Sequence, residues 1–200
     1  MAKQLDIFQQ ADGSSTLTTP PHITKIGHKQ AKLFVETWHY SKRMPTGKNI
    51  NYGLFINCEL YAVIVYGIGV NPYQAKYLGC TTVIEIKRMC RVEPRLEYPL
   101  SRLISITAKW AKKEMWFDMI VAFADPEQGH EGTVYKASGF EYRGTTNAEF
   151  HLVEKDGTVR HRRFAFRYAR RKGISVDEAR KELGVERIKT LPKHRWCRSA

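Results

Sequence analysis

The spacing of apolar residues changes along the chain between the period of a helix and that of a strand. Residues 28–38 and residues 100–115 carry apolar side chains at helical spacing, which predicts two helices that each bury one face. Residues 119–124 are apolar without interruption, as is typical of a strand buried on both faces. Asp125 and Pro126 end this run, so the predicted strand carries an acidic side chain at its carboxyl end.

Shorter patterns predict the remaining elements, which are strands at residues 52–57, 60–67, 81–92, 140–144, 148–153, 158–164 and 187–196 and helices at residues 131–137 and 176–183. Ser175 precedes the last of these helices and is expected to cap it. This order predicts an α/β (α+β) fold with a mixed central sheet flanked by helices. We expect residues 1–21 to form a flexible N-terminal lead and residues 22–155 the core. Residues 156–200 are expected to form a basic C-terminal segment that completes the domain.

Positive charge is concentrated near the end of the chain. The formal net charge is +13, and residues 155–200 hold fifteen Lys or Arg against five Asp or Glu. An asymmetry of this size favours a polyanionic partner, although a basic face can also serve solubility alone. Aromatic residues alternate with the cations, so arginines could meet phosphates while an aromatic ring packs or stacks on a base. The residues expected to contact a nucleic acid are Lys42, Arg43, Arg162, Arg163, Arg167, Arg170 and Arg171.

Apolar content and cysteine spacing exclude several classes of protein. The most apolar stretch, residues 60–70, is shorter than the roughly 20 residues of a membrane-spanning helix. No secretory signal is visible. The four cysteines are widely separated and form no CxxC pair, which argues against a zinc ribbon and a disulfide framework. We therefore expect a cytoplasmic protein with reduced thiols and no membrane partner.

The segment that follows residues 119–124 carries candidate chemistry. Asp125 is followed by a glycine turn and by a predicted helix in which Tyr135 precedes Gly139 and Phe140. Open α/β sheets bind ligands at the carboxyl ends of their strands. This pattern resembles the second conserved half of the GNAT acyltransferase superfamily, in which a helix tyrosine lies beside the acyl thioester. From the residues alone, Tyr135 and Gly139 can equally be a packed aromatic and a helix end.

The first half of the GNAT pattern is matched less closely. Residues 95–103 begin a helix but lack the glycines of the loop that wraps the pyrophosphate of coenzyme A. Ser101 and Arg102 at the helix start could still hold an anion there, or Ser101 could be a simple N-cap. The resemblance implies that Ser101, Arg102, Arg88 and Tyr135 bind the cofactor. That cofactor would be acetyl-CoA or another acyl or glycyl-type donor.

Several short motifs sharpen the resemblance. They are WHYSKRMP at residues 38–45, EIKRM at 85–89, SRLI at 101–104, Ala-Asp-Pro at 124–126 and GHEG at 129–132. In this order, over residues 22–196, they resemble the Mom-type DNA modification proteins of bacteriophages, which are divergent GNAT relatives. The resemblance implies a group transferase that adds a carbamoylmethyl (acetamide) group to N6 of adenine in DNA. It would act in the host bacterial cytoplasm and protect phage DNA from restriction.

Residue roles follow from the chemistry of an exocyclic amine. The lone pair of N6 is delocalised into the ring, so a base must remove an N6 proton, and Asp125 is the first candidate. A carboxylate in an apolar mouth would bind protons more readily, whereas the simpler alternative is that Asp125 only caps the next helix. His39 could relay protons near neutral pH. Tyr40, Ser41 and Tyr135 complete the predicted catalytic set. The spacing of His39, Asp125 and His130 does not indicate a metal site.

The substrate geometry leads to a further expectation and to two competing functions. Because N6 lies within the base stack of duplex DNA, we expect the adenine to be flipped out, with Trp38, Tyr40 or Phe123 stacking on it. The first alternative function is a GNAT-type acetyl-CoA-dependent N-acyltransferase that acts on a protein, a tRNA or a small amine. The second is a DNA-binding module without catalytic activity.

Overall fold

The computed structural model describes residues 19–69, 71–92 and 98–199. In chain order its helices and strands are β1 (His22–Lys25), α1 (His28–Trp38), β2 (Asn49–Ile56), β3 (Glu59–Ile68), α2 (Gln74–Leu78), β4 (Val83–Arg91), α3 (Leu100–Met115), β5 (Met119–Ala124), α4 (Thr133–Lys136), β6 (Glu141–Thr145), β7 (Phe150–Val153), β8 (Val159–His161), α5 (Arg163–Lys172), α6 (Val176–Leu183), β9 (Glu186–Lys189) and β10 (His194–Ser199). The chain forms two compact units. One unites the described residues up to Pro72 with Ile86–Met115, and the other unites Tyr73–Glu85 with the described residues from Trp116 onwards.

The first unit contains strands in the order β1-β2-β3-β4, with β1–β2 and β2–β3 antiparallel. Asn57 and Cys58 both have positive φ, as the tight two-residue turn of a β-hairpin requires, so β2 and β3 form a hairpin. Helix α1 buries Ala31, Phe34 and Val35 against apolar residues of the strands. The helical spacing predicted for residues 28–38 therefore faces a core.

Helix α3 packs its apolar stripe on β2 and β3 of the first unit. Its buried residues include Thr107, whose hydroxyl lies 2.9 Å from the Tyr66 hydroxyl. Near the end of the helix, the Tyr52 hydroxyl donates a hydrogen bond of 2.9 Å to Glu114. Burial, together with the adjacent Glu114 carboxylate, raises the pKa of Tyr52 above its ordinary value. Glu114 also forms an ion pair with Lys25, which lowers its pKa.

The second unit contains strands in the order β4-β5-β10-β6, and Val83–Glu85 is the part of β4 that belongs to it. Strand β10 is antiparallel to both of its neighbours. Strand β5 is largely buried, which confirms the interpretation of residues 119–124. The register of β10 with β6 shifts between His194 and Trp196. The pairing of β10 with β5 is regular.

A three-stranded sheet of order β8-β7-β9, together with α5 and α6, completes the second unit. The Ser175 side chain accepts a hydrogen bond from the Glu178 backbone, and the Glu178 side chain accepts one from the Ser175 backbone. This reciprocal capping box satisfies two N–H groups that a helix start leaves without partners. Ser175 caps α6 as predicted.

The fold class predicted from the sequence, a mixed α/β arrangement, is confirmed, and most elements lie where their patterns indicated. The prediction of a single strand over residues 158–164 is wrong, because β8 ends at His161 and α5 begins at Arg163. Ala165 and Ala169 give the following segment a buried face at helical spacing.

Residues 187–196 were also wrong as one strand. They divide between β9 and β10, which pair in different sheets. Pro192 lies between them, and a proline lacks the N–H that a continuous ladder needs. The sequence patterns also missed the short elements β1 and α2.

Residues 1–18 of the predicted N-terminal lead lie outside the described residues, and β1 begins at His22. Among the helices that the structure describes, none has the length and apolar character needed to cross a bilayer.

Candidate functional site

Asp125 lies directly after β5, where the apolar run stops. Only 7% of the residue is exposed, and its Oδ1 accepts a hydrogen bond of 3.2 Å from the backbone N–H of Glu127. This bond caps the short 3-10 turn Pro126–Gln128. The capping alternative is therefore real, yet it occupies only one of the two carboxylate oxygens.

A lysine that sequence reasoning missed contacts the other oxygen. The Nζ atom of Lys193 lies 2.8 Å from Oδ2 of Asp125. Strand pairing explains the contact, because His194 lies opposite Ala124, and one further step brings Lys193 opposite Asp125. The carboxylate faces a cation here, which the expectation of an apolar mouth did not include. No local signal could have found this pair.

Two glycines shape the loop between β5 and α4. Gly129 and Gly132 both have φ in the left-handed region, which glycine adopts without the steric cost that a side chain adds. A Cβ at Gly132 would collide with the Trp196 indole of β10, whereas nothing lies within 4 Å of the Cβ position of Gly129. The second glycine of the GHEG motif is thus required by a close approach, and the first only by its backbone conformation.

Tyr135 lies on α4 and is buried. Its ring centroid is 5.7 Å from that of Phe140, and its carbonyl accepts a hydrogen bond of 3.0 Å from the Phe140 backbone N–H. Gly139 has positive φ and allows this turn. The Tyr-x-x-x-Gly-Phe pattern therefore forms a packed helix end in this chain, which is the simpler of its two interpretations.

The predicted catalytic residues His39, Tyr40 and Ser41 lie together where α1 ends. His39 is buried, and its Nδ1 accepts a hydrogen bond of 3.1 Å from the Ser41 backbone N–H. The Ser41 hydroxyl lies 2.9 Å from the same atom. The His39 and Tyr40 rings are 4.3 Å apart, and Tyr40 is exposed. Because Nδ1 accepts the backbone N–H, the proton of the neutral His39 ring is assigned to Nε2.

The loop after His39 is fastened to β4 by two cationic side chains. Arg88 Nε donates a hydrogen bond of 3.2 Å to the Arg43 carbonyl, and Lys87 Nζ donates one of 3.1 Å to the Thr46 carbonyl. These contacts join the motif at residues 38–45 to the motif at residues 85–89. Arg88, predicted to bind a cofactor, directs its Nε to this loop.

The other predicted anion-binding residues lie at the start of α3. Ser101 and the exposed Arg102 belong to its first turn, which contains no acidic side chain. The N-terminal end of a helix carries partial positive charge and unpaired N–H groups, so this turn suits a phosphate. Residues 93–97, which include part of the predicted pyrophosphate loop, lie outside the described residues.

Helix α5 carries most of the arginines predicted to bind DNA. Its inner face buries Ala165 and Ala169. Three exposed arginines at helical spacing form no ion pair with any residue that the structure describes, and they are Arg163, Arg167 and Arg170. We call these three residues the arginine face.

The remaining cations of this region have partners. Arg162 lies 3.4 Å from Glu149, the Arg171 guanidinium lies over the Tyr168 ring, and Lys172 contacts Glu182 at 2.7 Å. The aromatic Phe166 is exposed on α5, so a ring and unpaired arginines lie on one helix.

The cysteines and acidic residues give no sign of a metal centre in the described ranges. No group of three or more His, Cys, Asp or Glu side chains there is arranged to hold a metal ion. All four cysteines are free thiols. Burial raises the pKa of Cys90 to about 12 and that of Cys197 to about 11.

Comparison with known families decides the relationship of the chain. The sequence model of the Mom protein family matches residues 21–198. The chain belongs to the Mom protein family. A curated relative, the methylcarbamoylase mom of Escherichia phage Mu, is 28% identical over 136 residues. That match spans 66% of this chain and 56% of the relative, so it covers a little over half the length of the phage Mu protein.

Solved acetyltransferase structures resemble this Mom family member in fold. A mutant of SpeG spermidine N-acetyltransferase from Vibrio cholerae aligns with a TM-score of 0.51 at 11% identity, covering 90% of this chain and 93% of that one. The IAA acetyltransferase of Bacillus cereus aligns with a TM-score of 0.50 at 10% identity, covering 90% and 100% of the two chains. Identity this low shows the fold alone.

Other acetyltransferase structures that resemble the chain contain coenzyme A. One is a Bacillus subtilis acetyltransferase in complex with CoA, with a TM-score of 0.46 and 11% identity over 90% of this chain and 97% of that one. The likeness is too distant to transfer the ligand to the Mom family member.

Proposed function

We propose that the protein modifies DNA by adding a carbamoylmethyl group to N6 of adenine. The observation that carries the proposal is the match to the Mom family over residues 21–198. It is supported by a buried carboxylate at the end of β5 and by an arginine face suited to a polyanion. The modification would protect phage DNA from restriction.

Asp125 is proposed to accept the proton that N6 must lose. In the balanced step, a new bond joins N6 to a carbon of the transferred group, and the donor's bond to that carbon breaks with its electron pair. One N6 proton leaves for the carboxylate. Each oxygen of a carboxylate has two lone pairs, and Asp125 uses one on Oδ1 for Glu127 and one on Oδ2 for Lys193. Acceptor capacity therefore remains for an N6–H group.

His39 is proposed to relay protons. The Ser41 backbone N–H and hydroxyl hold its ring through Nδ1, and the Nε2–H group of the neutral ring is proposed to donate a hydrogen bond to substrate. Tyr40 packs its exposed ring at a tilt against His39 and is proposed to contact the base. Ser41 is proposed to set the tautomer of His39. Tyr135 is proposed to support the same reaction from α4.

Duplex DNA is the proposed partner, with the adenine flipped out of the stack. The arginine face would contact phosphates, with Arg162, Arg171, Lys42 and Arg43 extending the positive surface. Flipping can be followed with 2-aminopurine in place of the target adenine, since its fluorescence rises on unstacking. We expect a rise when the protein binds, and an unchanged signal at saturation would argue against flipping.

The proposed donor is a glycyl-type compound or another carrier of an activated CH2 carbon, because an acyl-CoA that transferred its acyl group would leave an amide on N6. The first turn of α3 fits the anionic part of such a donor, because it contains Ser101 and Arg102 and no acidic side chain. When bound, the donor would supply the activated carbon. Ser101 and Arg102 would hold its phosphates, and Arg88 is proposed to contribute positive charge.

The decisive experiment is nucleoside analysis of DNA from bacteria that produce the protein. We expect mass spectrometry to detect deoxyadenosine heavier by one carbamoylmethyl group, and Asp125→Asn to abolish the signal at equal protein level. The control is Asp156→Asn, which changes an exposed turn carboxylate. An unmodified nucleoside profile from folded wild-type protein would contradict the proposal. Acetylation of a peptide, tRNA or amine by acetyl-CoA would instead establish the alternative function.

A further inference from the structure

Arg195 of β10 is a buried cation without a counter-ion in the described part of the chain. Only 9% of the residue is exposed. Its Nη1 donates a hydrogen bond of 3.3 Å to the Arg143 carbonyl, while its buried Nε has no hydrogen-bond partner. Among the ion pairs of the described residues, the nearby Glu141 carboxylate contacts Arg143 at 2.8 Å, and none involves Arg195. A buried charge without a partner is costly, and buried charges in proteins are usually paired. An unpaired buried guanidinium therefore suggests a site for a bound anion.

An aromatic ring covers the flat face of this guanidinium. The Cζ atom of Arg195 lies 4.3 Å from the centroid of the Tyr77 ring, within the range of a cation–π contact. Stacking engages the face of the guanidinium and leaves its N–H groups in the plane. Because Nη1 is engaged by a carbonyl, the Nε–Nη2 edge remains, and this edge is the fork that binds two oxygens of one anion.

The surroundings of Arg195 increase the positive potential. The charges of Arg195 and Arg143 both act on Cys197, where they oppose the effect of burial on the thiol pKa. Tyr77 is 64% exposed, so the ring that covers Arg195 lies at the protein surface. The site thus combines a buried fork, a second cation and an aromatic cover.

Strand register relates Arg195 to the candidate catalytic carboxylate. Arg195 lies opposite Phe123 in the pairing of β10 with β5. In extended chain, residues two apart share a face of the sheet, so Arg195 shares a face with Lys193 and Phe123 with Asp125. The cross-strand pair Arg195–Phe123 is therefore about 7 Å along the strands from the pair Lys193–Asp125.

We propose that Arg195 and Tyr77 form a binding site for a phosphate group. The Nε–Nη2 edge binds two phosphate oxygens, and the ring shields the contact from water. Two sources offer this chemistry, a small phosphorylated compound and the DNA backbone. The site stands on the geometry of Arg195 and does not depend on which group the enzyme transfers.

Thermal unfolding of the full chain with inorganic phosphate as the probe tests the site. Each protein is melted in sodium phosphate and in sodium chloride of equal ionic strength. A ligand at ten times its dissociation constant raises the Tm of a chain this long by about 3–6 °C. We expect this rise for the wild type, and a smaller one for Arg143→Gln, which removes the second cation of the site. We expect the full rise for a variant with the whole arginine face changed to glutamine.

Arg195→Gln should lose the rise and should melt in chloride at or above the wild-type temperature, because it removes an uncompensated buried charge. Equal melting of the wild type in both salts would overturn the proposal. So would an Arg195→Gln protein that keeps the phosphate effect. A variant that melts lower than wild type by the same amount in both salts would assign Arg195 only the structural bond to the Arg143 carbonyl.

A second variant protects the test if Arg195→Gln fails to fold. Arg195→Lys retains the charge but loses the fork, so its phosphate-dependent rise should shrink, and an undiminished rise would refute the site. The source is then distinguished by ³¹P NMR of inorganic phosphate with wild-type protein. Line broadening that disappears on adding a short duplex identifies a backbone phosphate as the ligand. Broadening that persists identifies a small phosphorylated compound, and no broadening in either arm contradicts binding.

Discussion

The end of β5 and the arginine face of α5 both carry charge within the second unit, but they hold it in opposite ways. Asp125 is buried, and each of its oxygens has a partner, Glu127 on one and Lys193 on the other. Arg163, Arg167 and Arg170 are exposed and have no acidic partner among the described residues. A charge that is buried and fixed in direction suits proton transfer at one atom, whereas exposed cations suit a partner that spreads negative charge along its length.

The net charge alone does not distinguish cations that contact groups inside the protein from cations that can attract a polyanion. Lys193 and Arg195 belong to the same basic segment of the sequence as α5, yet one pairs with a carboxylate and the other is buried under an aromatic ring. Lys193 and Arg195 point inward and contact groups of the protein itself. The arginine face points outward and can attract a polyanion. Variants of the two groups should therefore affect different measurements.

Of the changes considered, Asp125→Asn should have the largest effect, which is a loss of DNA-modifying activity. Loss of a positioned general base lowers rates by about a hundred- to ten-thousand-fold. Asparagine retains an oxygen for the Glu127 N–H, so the fold should persist, as circular dichroism can verify. Binding to duplex DNA should remain near the wild-type value. The measurement is modified deoxyadenosine per cell, and substantial activity in the variant would remove Asp125 from the chemistry.

Replacement of all three residues of the arginine face by glutamine should weaken DNA binding without affecting folding. Each lost phosphate contact reduces the slope of log affinity against log salt by about 0.9, so the slope should become less negative by about 3. Fluorescence anisotropy of a labelled duplex over a range of salt concentrations measures it. Arg162→Gln and Lys172→Gln, whose charges already contact Glu149 and Glu182, provide controls with smaller effects. An unchanged slope would exclude α5 from the interface.

Gly132→Ala tests the packing of the loop after β5 and should lower the free energy of unfolding. The left-handed backbone costs an L-residue about 1–2 kcal/mol, and the collision with Trp196 adds about 1–3 kcal/mol of overpacking. Gly129→Ala is the matched control, since it has a similar φ and open space around it. Urea unfolding should show a clearly larger loss for Gly132→Ala. Equal losses in the two variants would mean that the indole moves aside.

Thiol reactivity gives the smallest and simplest test of burial. Burial raises the pKa of Cys197 to about 11, so near pH 8 this thiol remains protonated and should not react with a disulfide reagent until the protein unfolds. Cys58 is exposed and should react in the native state. The reaction is counted with and without denaturant, using Cys58→Ser to assign the fast thiol. Rapid native labelling of Cys197 would show that β10 opens readily.

Elements with local signals could be predicted from the sequence. Helices α3 and α6 were predicted at residues 100–115 and 176–183 and have those bounds in the structure. Each owes this to features within its own segment, which are an apolar stripe in α3 and the cap at Ser175 in α6. The strand at residues 119–124 was equally clear, because an unbroken apolar run ended at Asp125.

Contacts between distant segments could not be predicted in this way. Nothing in the order of elements indicates that β10 lies between β5 and β6, so the approach of Lys193 to Asp125 left no trace in the local pattern. The bond from Arg88 to the Arg43 carbonyl is similar, since it joins two motifs that the sequence presents separately. The motifs suggested which residues matter, and tertiary pairing decided which of them touch.

The position of β10 between two earlier strands has a consequence for how the protein is made. While the ribosome adds the residues after Thr145, β5 and β6 must wait for the strand that joins them. At synthesis speeds of about 5–20 residues per second, this delay lasts roughly 3–10 seconds. During that time the nascent chain presents unpaired strand edges, so the final cooperative step of folding comes only when His194–Ser199 has emerged.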